Sequence, residues 1–160
     1  MTIMKIISGG QTGVDIAALR AASAEGIPTG GFCPKGWRTE LGPQAELLQS
    51  FGLREHASED YPARTRANVE SADCTLVLSD EMDGGSQLTA ELCVRLKKPF
   101  LPVSRHQIVA DETEMVVGWL AAVPHDIVNV AGNRESKSPG IEAEAETFLR
   151  RVFALALDRL

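Results

Sequence analysis

Residues Lys5–Leu19, KIISGGQTGVDIAAL, decide how the chain is read. The run over 3–8 (IMKIIS) is apolar on successive positions, as in a strand buried on both faces, and it stops at Gly9-Gly10. From Val14 to Ala24 the chain is rich in alanine and leucine, which predicts a helix that Gly26 closes. A buried strand, a glycine turn and a helix open an α/β unit.

Outward from that unit the alternation continues. Thr29–Cys33 predicts a second strand, followed by the polar loop PKGWRTELGP (34–43), a short helix over Gln44–Ser50 and an edge strand at 53–57. Pro62–Ala72 reads as a helix with proline in its first turn. Asp73–Ser79 (DCTLVLS) is the clearest further core strand, followed by Gly84-Gly85-Ser86 and a helix over Gln87–Lys97. Pro99–Val103 predicts a third core strand, shortened by two prolines. A helix over Asp111–Ala122, a strand at Asp126–Val130 and a loop at Ala131–Gly140 come next. A last helix covers Ile141–Leu157, with Ile141, Ala145, Phe148, Val152 and Leu155 on one face. Strands alternating with helices predict right-handed crossovers and a doubly wound, mainly parallel sheet with helices on both faces. With neither repeat nor linker, residues 1–160 are expected to form a single ligand-binding domain.

Composition bounds the function. The chain is 44% hydrophobic and 24% charged, an ordinary globular balance. A net charge of −6 argues against a broad nucleic-acid surface, yet it leaves room for one anion where a few positive groups converge. The three cysteines form no CxxC or Cys/His pattern, so no metal site is expected. Cys74 and Cys93 lie among apolar residues and read as core, whereas Cys33 is placed in a loop. His56, His106 and His125 are isolated and read as structural or surface residues. No stretch approaches ~20 apolar residues and the N-terminal run is too short for a signal peptide, so a cytoplasmic protein without membrane contact is expected.

Two constellations carry chemistry. Ser8-Gly9-Gly10-Gln11-Thr12-Gly13-Val14-Asp15 joins a buried strand to a helix. Glycines there let a ligand approach the backbone, and the free N–H groups and dipole of the first helical turn favour an anion. Asp15 either stabilises the helix start or touches the ligand. The pattern is neither of the usual phosphate-loop or dinucleotide fingerprints. Asp83-Gly84-Gly85-Ser86-Gln87-Leu88-Thr89-Ala90-Glu91 repeats the arrangement after a second strand. Two such turns place both helix N-termini at the carboxyl edge of a parallel sheet, where α/β proteins bind ligands. Around them lie Lys35, Arg38, Arg64, Arg66, Asn68, Asn129, Arg134 and Lys137, and arginine forks suit phosphate oxygens. Trp37 could stack on a base or pterin ring, or pack at a subunit interface.

KIISGGQTGVDIAAL, GFCPKGWRTELGP, RTRANVESADCTLVLSD, GGSQLTAE and NVAGNRESKSPGI, in this order, resemble the molybdenum-cofactor carrier family. That family belongs to a wider superfamily with the cytokinin-activating, lonely-guy type phosphoribohydrolases and DNA-processing protein A. The resemblance implies a Rossmann-like fold, self-association, and a small phosphate-bearing ligand, the molybdenum cofactor or otherwise a nucleotide, delivered to molybdenum enzymes. It carries Gly9, Gly10, Thr12 and Gly13 over as one phosphate-side turn and Gly84, Gly85 and Ser86 as the other. Arg66, Asn68, Asn129 and Arg134 fall within the shared motifs. Gln11, Asp15, Thr89, Lys35 and Arg38 complete the expected cofactor-binding set, the last two beside the pterin. No catalytic residue is needed by a carrier. The phosphoribohydrolase signature G-G-x-G-T-x-x-E is met by Gly84, Gly85 and Glu91, but Gln87 and Leu88 replace its Gly-Thr pair. A nucleoside monophosphate N-glycosidase using Glu91 and Arg66 is the enzymatic alternative, and a nucleotide-sensing module is the other.

Overall fold

The structure is a computed structural model that describes residues 2–160; residue 1 of the expected 1–160 domain lies outside the described residues. The opening unit forms as its sequence requires, with strand β1 (Lys5–Ile7) leading through the glycine turn into helix α1 (Val14–Ala24). Then come β2 (Thr29–Cys33), β3 (Arg38–Thr39), β4 (Gly42–Pro43), α2 (Ala45–Ser50), β5 (Leu53–Glu55) and α3 (Tyr61–Ser71). The second half holds β6 (Cys74–Ser79), α4 (Gly84–Arg95), β7 (Phe100–Ser104), α5 (Arg105–Val109), α6 (Thr113–Ala122), β8 (Ile127–Gly132) and α7 (Ile141–Arg159).

Among the described residues, six strands make one sheet in the order β5-β2-β1-β8-β6-β7. Every neighbouring pair in it is parallel. The doubly wound α/β fold is therefore present, and it is Rossmann-like. Chain progress from β1 to β2 and β5 runs one way, and from β6 to β7 the other, with β8 filling the gap. Ile6 pairs with Val128, and Val128 with Cys74, so the last strand in sequence is hydrogen-bonded on both sides.

Alternation distributes the side chains. Ile6, Leu76, Leu78, Val128 and Val130 face α1 and α7 in the main core. Ala17, Ala18, Ala21 and Ala22 give α1 a small-residue face, fully buried, which lets Phe148, Val152 and Phe153 of α7 pack closely. Each such buried aliphatic or aromatic side chain contributes about 2 kcal/mol of transfer free energy. The other face is covered by α3 and α4, where Val69, Leu92 and Cys93 cluster.

Several boundaries differ from the sequence expectation, each for a local reason. The helix expected from Gln87 begins at Gly84, because the Asp83 side chain accepts a hydrogen bond from the Ser86 N–H and caps it three residues earlier. The strand over 100–104 is an edge strand rather than a core one, since Pro102 has no N–H for a second ladder. The segment before α6 carries its own short helix, fixed by a capping box between Ser104 and Gln107. The polar loop over 34–43 contains the β3–β4 hairpin. Cys33 ends β2 and is fully buried with Leu48 and Leu53, not in a loop. Burial pushes the Cys33 thiol up to about 11 and that of Cys74 up to about 12, and raises Cys93 as well.

Gly13, the residue before α1, has φ +80°, and a Cβ there would overlap the Asn133 carbonyl oxygen. Gly13→Ala is expected to lower stability by more than about 2 kcal/mol in urea denaturation. All three cysteines, buried and held as thiols, should resist iodoacetamide at pH 8 until the protein is unfolded, as read by mass spectrometry.

Candidate functional site

Three loops leave the carboxyl ends of the adjacent strands β1, β8 and β6, and the strand order brings them together. The first runs Ser8–Gly13. Its amides, expected to face a ligand, are engaged within the chain. The Gly10 N–H donates to Ser8 Oγ (3.3 Å), Gln11 to Asp15 Oδ2 (3.2 Å), Thr12 to Gln11 Oε1 (3.1 Å) and Gly13 to Glu142 Oε1 (2.9 Å). A carboxylate from α1 and one from α7 thus sit where an anion was anticipated.

The loop after β6 differs. Asp83 caps α4, and the Gly84 and Gly85 N–H groups find no acceptor among the described residues. Burial works against the charge on Asp83, but the Ser86 N–H, the Asn133 amide and Arg134 outweigh it and hold the carboxyl below its ordinary value. Thr89 Oγ1 donates to the Gly85 carbonyl (3.0 Å) one turn into the helix.

The loop after β8 ties the other two together. Asn133, fully buried, accepts from the Asp80 N–H (2.7 Å) and donates to the Glu81 carbonyl (3.1 Å) and Ser86 Oγ (3.4 Å). Next to it, the Arg134 carbonyl accepts from the Lys137 and Ser138 N–H groups, but its guanidinium makes no hydrogen bond among the described residues. Its guanidinium stands 5.9 Å from the Tyr61 ring centre, and those of Arg38 and Arg64 each 5.5 Å from the same ring. Three guanidinium groups thus surround one aromatic ring in an acidic protein.

Arg64 reaches the site from α3 across Gly9. A side chain on Gly9 would overlap the guanidinium, so the glycine is there for close approach. Arg64 Nη1 lies 3.4 Å from Asp15 Oδ2, while Nε is buried with no partner among the described residues. Burial pushes the Asp15 carboxyl above its ordinary value, with Arg64 and the Gln11 N–H pulling it back. Between these groups is an open cavity of about 260 Å³. Gln11 and Asp15 line it from the first turn, Gly84, Gly85 and Thr89 from the second, Tyr61 and Arg64 from α3, and Arg134 from the loop after β8.

The remaining expected residues lie elsewhere. Gly10 packs against Leu48 and Leu53, and Thr12 Oγ1 donates to Glu40 Oε1 (2.5 Å). Ser86 is buried behind the helix start. Asn68 clamps β2 by accepting from the Phe32 N–H and donating to its carbonyl, and buried Asn129 donates to Thr75 Oγ1 across the sheet. Lys35 is exposed away from the cavity, and Trp37 packs on the cluster around Leu48. Arg38 is exposed and reaches only the Tyr61 ring and the Glu59 carbonyl. Arg66 points outward and pairs with Glu70 (2.7 Å), while Glu91 is exposed and accepts from Gln87 Nε2. The pair considered for N-glycosidic cleavage therefore does not meet in the cavity.

Tyr61, Asn133 and Glu40 had not been singled out. Glu40 links the hairpin to the site by accepting from Ser136 N–H (3.1 Å) and Ser136 Oγ (2.6 Å) as well as Thr12. Among the described residues no group of His, Cys, Asp and Glu is placed to hold a metal ion. Among the same residues no helix is long and apolar enough to cross a membrane.

Comparison with known proteins agrees with the motif resemblance. The crystal structure of a protein from Syntrophus aciditrophicus SB, named "Putative molybdenum carrier protein", is 38% identical over 95% of each chain, with a TM-score of 0.87. No curated protein matches. The circularly permutated YpsA SLOG family matches residues 6–153, which takes in β1 from Ile6 on, the other five strands of the sheet and both glycine turns. The chain belongs to that family.

Proposed function

We propose that this protein is a carrier that binds a phosphate-bearing, pterin- or nucleotide-like ligand, with the molybdenum cofactor as its cargo. One observation carries the reading. Arg64, Arg134, Gly84 and Gly85 line one cavity, and among the described residues the buried Arg64 Nε, the Arg134 guanidinium and the Gly84 and Gly85 amides have no acceptor. Unsatisfied donors in a partly buried site favour an anion that accepts from several at once, and a terminal phosphate does so. Carriage asks the chain only to bind, orient and shield. The phosphate end fits these donors, and the cofactor's own dithiolene sulfurs hold its metal. Gln11, Thr89 and the Tyr61 edge would border the rest of the ligand. The relative's name supports the molybdenum cargo. Self-association and hand-off to molybdenum enzymes in the cytoplasm belong to the same reading and rest on the motif resemblance alone.

Titration with isolated molybdenum cofactor is expected to give saturable binding and slower oxidative loss of the cofactor; neither occurring would reject the carrier reading. Arg134→Ala should weaken binding about tenfold or more, the cost of one charge-assisted hydrogen bond. Arg66→Ala and Glu91→Gln should leave affinity within about twofold, since each residue's charge is exposed and screened. Free base released from nucleoside monophosphates by the wild type, and abolished by Glu91→Gln, would favour the enzyme instead.

A further inference from the structure

The Asp15–Arg64 pair has a geometry that the carrier reading alone does not explain. Asp15 is in the first turn of α1, where backbone amides and the helix dipole favour an anion, and it is 4% exposed. Its Oδ2 accepts from the Gln11 N–H, and the Gly9 N–H also bears on the carboxylate. Its contact with Arg64 is single and long at 3.4 Å, whereas a committed guanidinium–carboxylate pair is bidentate and shorter. Arg64 lines the same cavity as Asp15, and its buried Nε has no acceptor among the described residues.

We infer that the first glycine-rich turn is a second anion seat, which the chain fills with its own Asp15 carboxylate, and that Asp15 and the bound phosphate share Arg64 as a common cation. This rests on reading the cavity as a phosphate site. Asp15 then sets ligand affinity from inside the site. It keeps Arg64 neutralised and in place before binding, and its negative charge opposes the incoming phosphate. Removing one member of a buried pair leaves the other uncompensated, and an external anion relieves that cost. The Asp15 carboxylate thereby holds affinity below the limit that the donors alone would allow, which suits a protein that must release its cargo.

Asp15→Asn preserves shape and leaves an oxygen to accept from the Gln11 N–H. With inorganic phosphate as the probe, calorimetry should show Asp15→Asn binding about tenfold more tightly than the wild type, as expected for a mostly buried cation freed of its partner. Phosphate should also raise the melting temperature of Asp15→Asn by more than it raises that of the wild type. In an Arg64→Gln background the gain should vanish. Equal or weaker phosphate binding by a folded Asp15→Asn overturns this inference while leaving the cavity reading intact; phosphate bound by neither protein overturns both. A second measurement needs no variant. In the wild-type protein, the Arg64 Nε–H and Asp15 carboxyl NMR resonances should move with one midpoint as phosphate is added, and an Arg64 signal that responds while Asp15 stays fixed also overturns it.

Discussion

Hydrogen bonding of β8 on both of its edges is the constraint on which everything else depends. Lys5, Ile6 and Ile7 pair with Ile127, Val128 and Asn129, and the same strand pairs through Leu78 and Gly132 with β6. Because parallel strands end together, the loops leaving β1, β8 and β6 must emerge side by side. Asn133 then ties both outer loops to the central one: its side chain bonds the loop after β6, and its carbonyl accepts from the Val14 N–H where the first loop enters α1. The cavity follows from sheet order before any one side chain is considered.

Charge is managed within that frame. The chain is net acidic, yet three of its guanidinium groups gather around Tyr61, where the loops and α3 meet. Carboxylates are assigned to hold backbone. Glu142 takes the Gly13 amide, Asp83 caps α4, Asp15 takes the Gln11 amide, and Glu40 pins the hairpin to Thr12 and Ser136. The donors left over, at Arg64, Arg134, Gly84 and Gly85, belong to residues that line the crevice. A site can therefore attract an anion inside a molecule whose long-range field repels one.

Much of this was legible in the sequence. β1, α1, β2, β6 and α7 follow from apolar runs and helical spacing, and the pairing of two glycine turns pointed to the edge of the sheet where the cavity lies. What the glycine turns do was less legible, because a turn that binds an anion and a turn that holds its own carboxylate use the same residues. Asp15 fits both descriptions until its partner on α3 is known. The choice between Arg64 and Arg66 is a question of helical phase. Asn68 and Val69 face the sheet, and Arg64 lies one turn before Asn68 on that side, whereas Arg66 lies outside it. Local spacing alone could not assign that phase, since α3 has only a weak apolar stripe. The central position of β8 had no local signal, because it is set by pairing between residues far apart in the chain.

That long-range pairing also sets the order of events during synthesis. β1, β2 and β5 can associate early, as can β6 and β7, but the two groups have no direct ladder between them. Only when β8 has left the ribosome can it bridge them, and non-local parallel pairing is the slow kind. Until then the neighbouring edges of β1 and β6 stay open, and their two loops have nothing to hold them in register. The pocket cannot form before β8 is made and paired, so a nascent chain lacks it until all but the last loop and α7 has been synthesised.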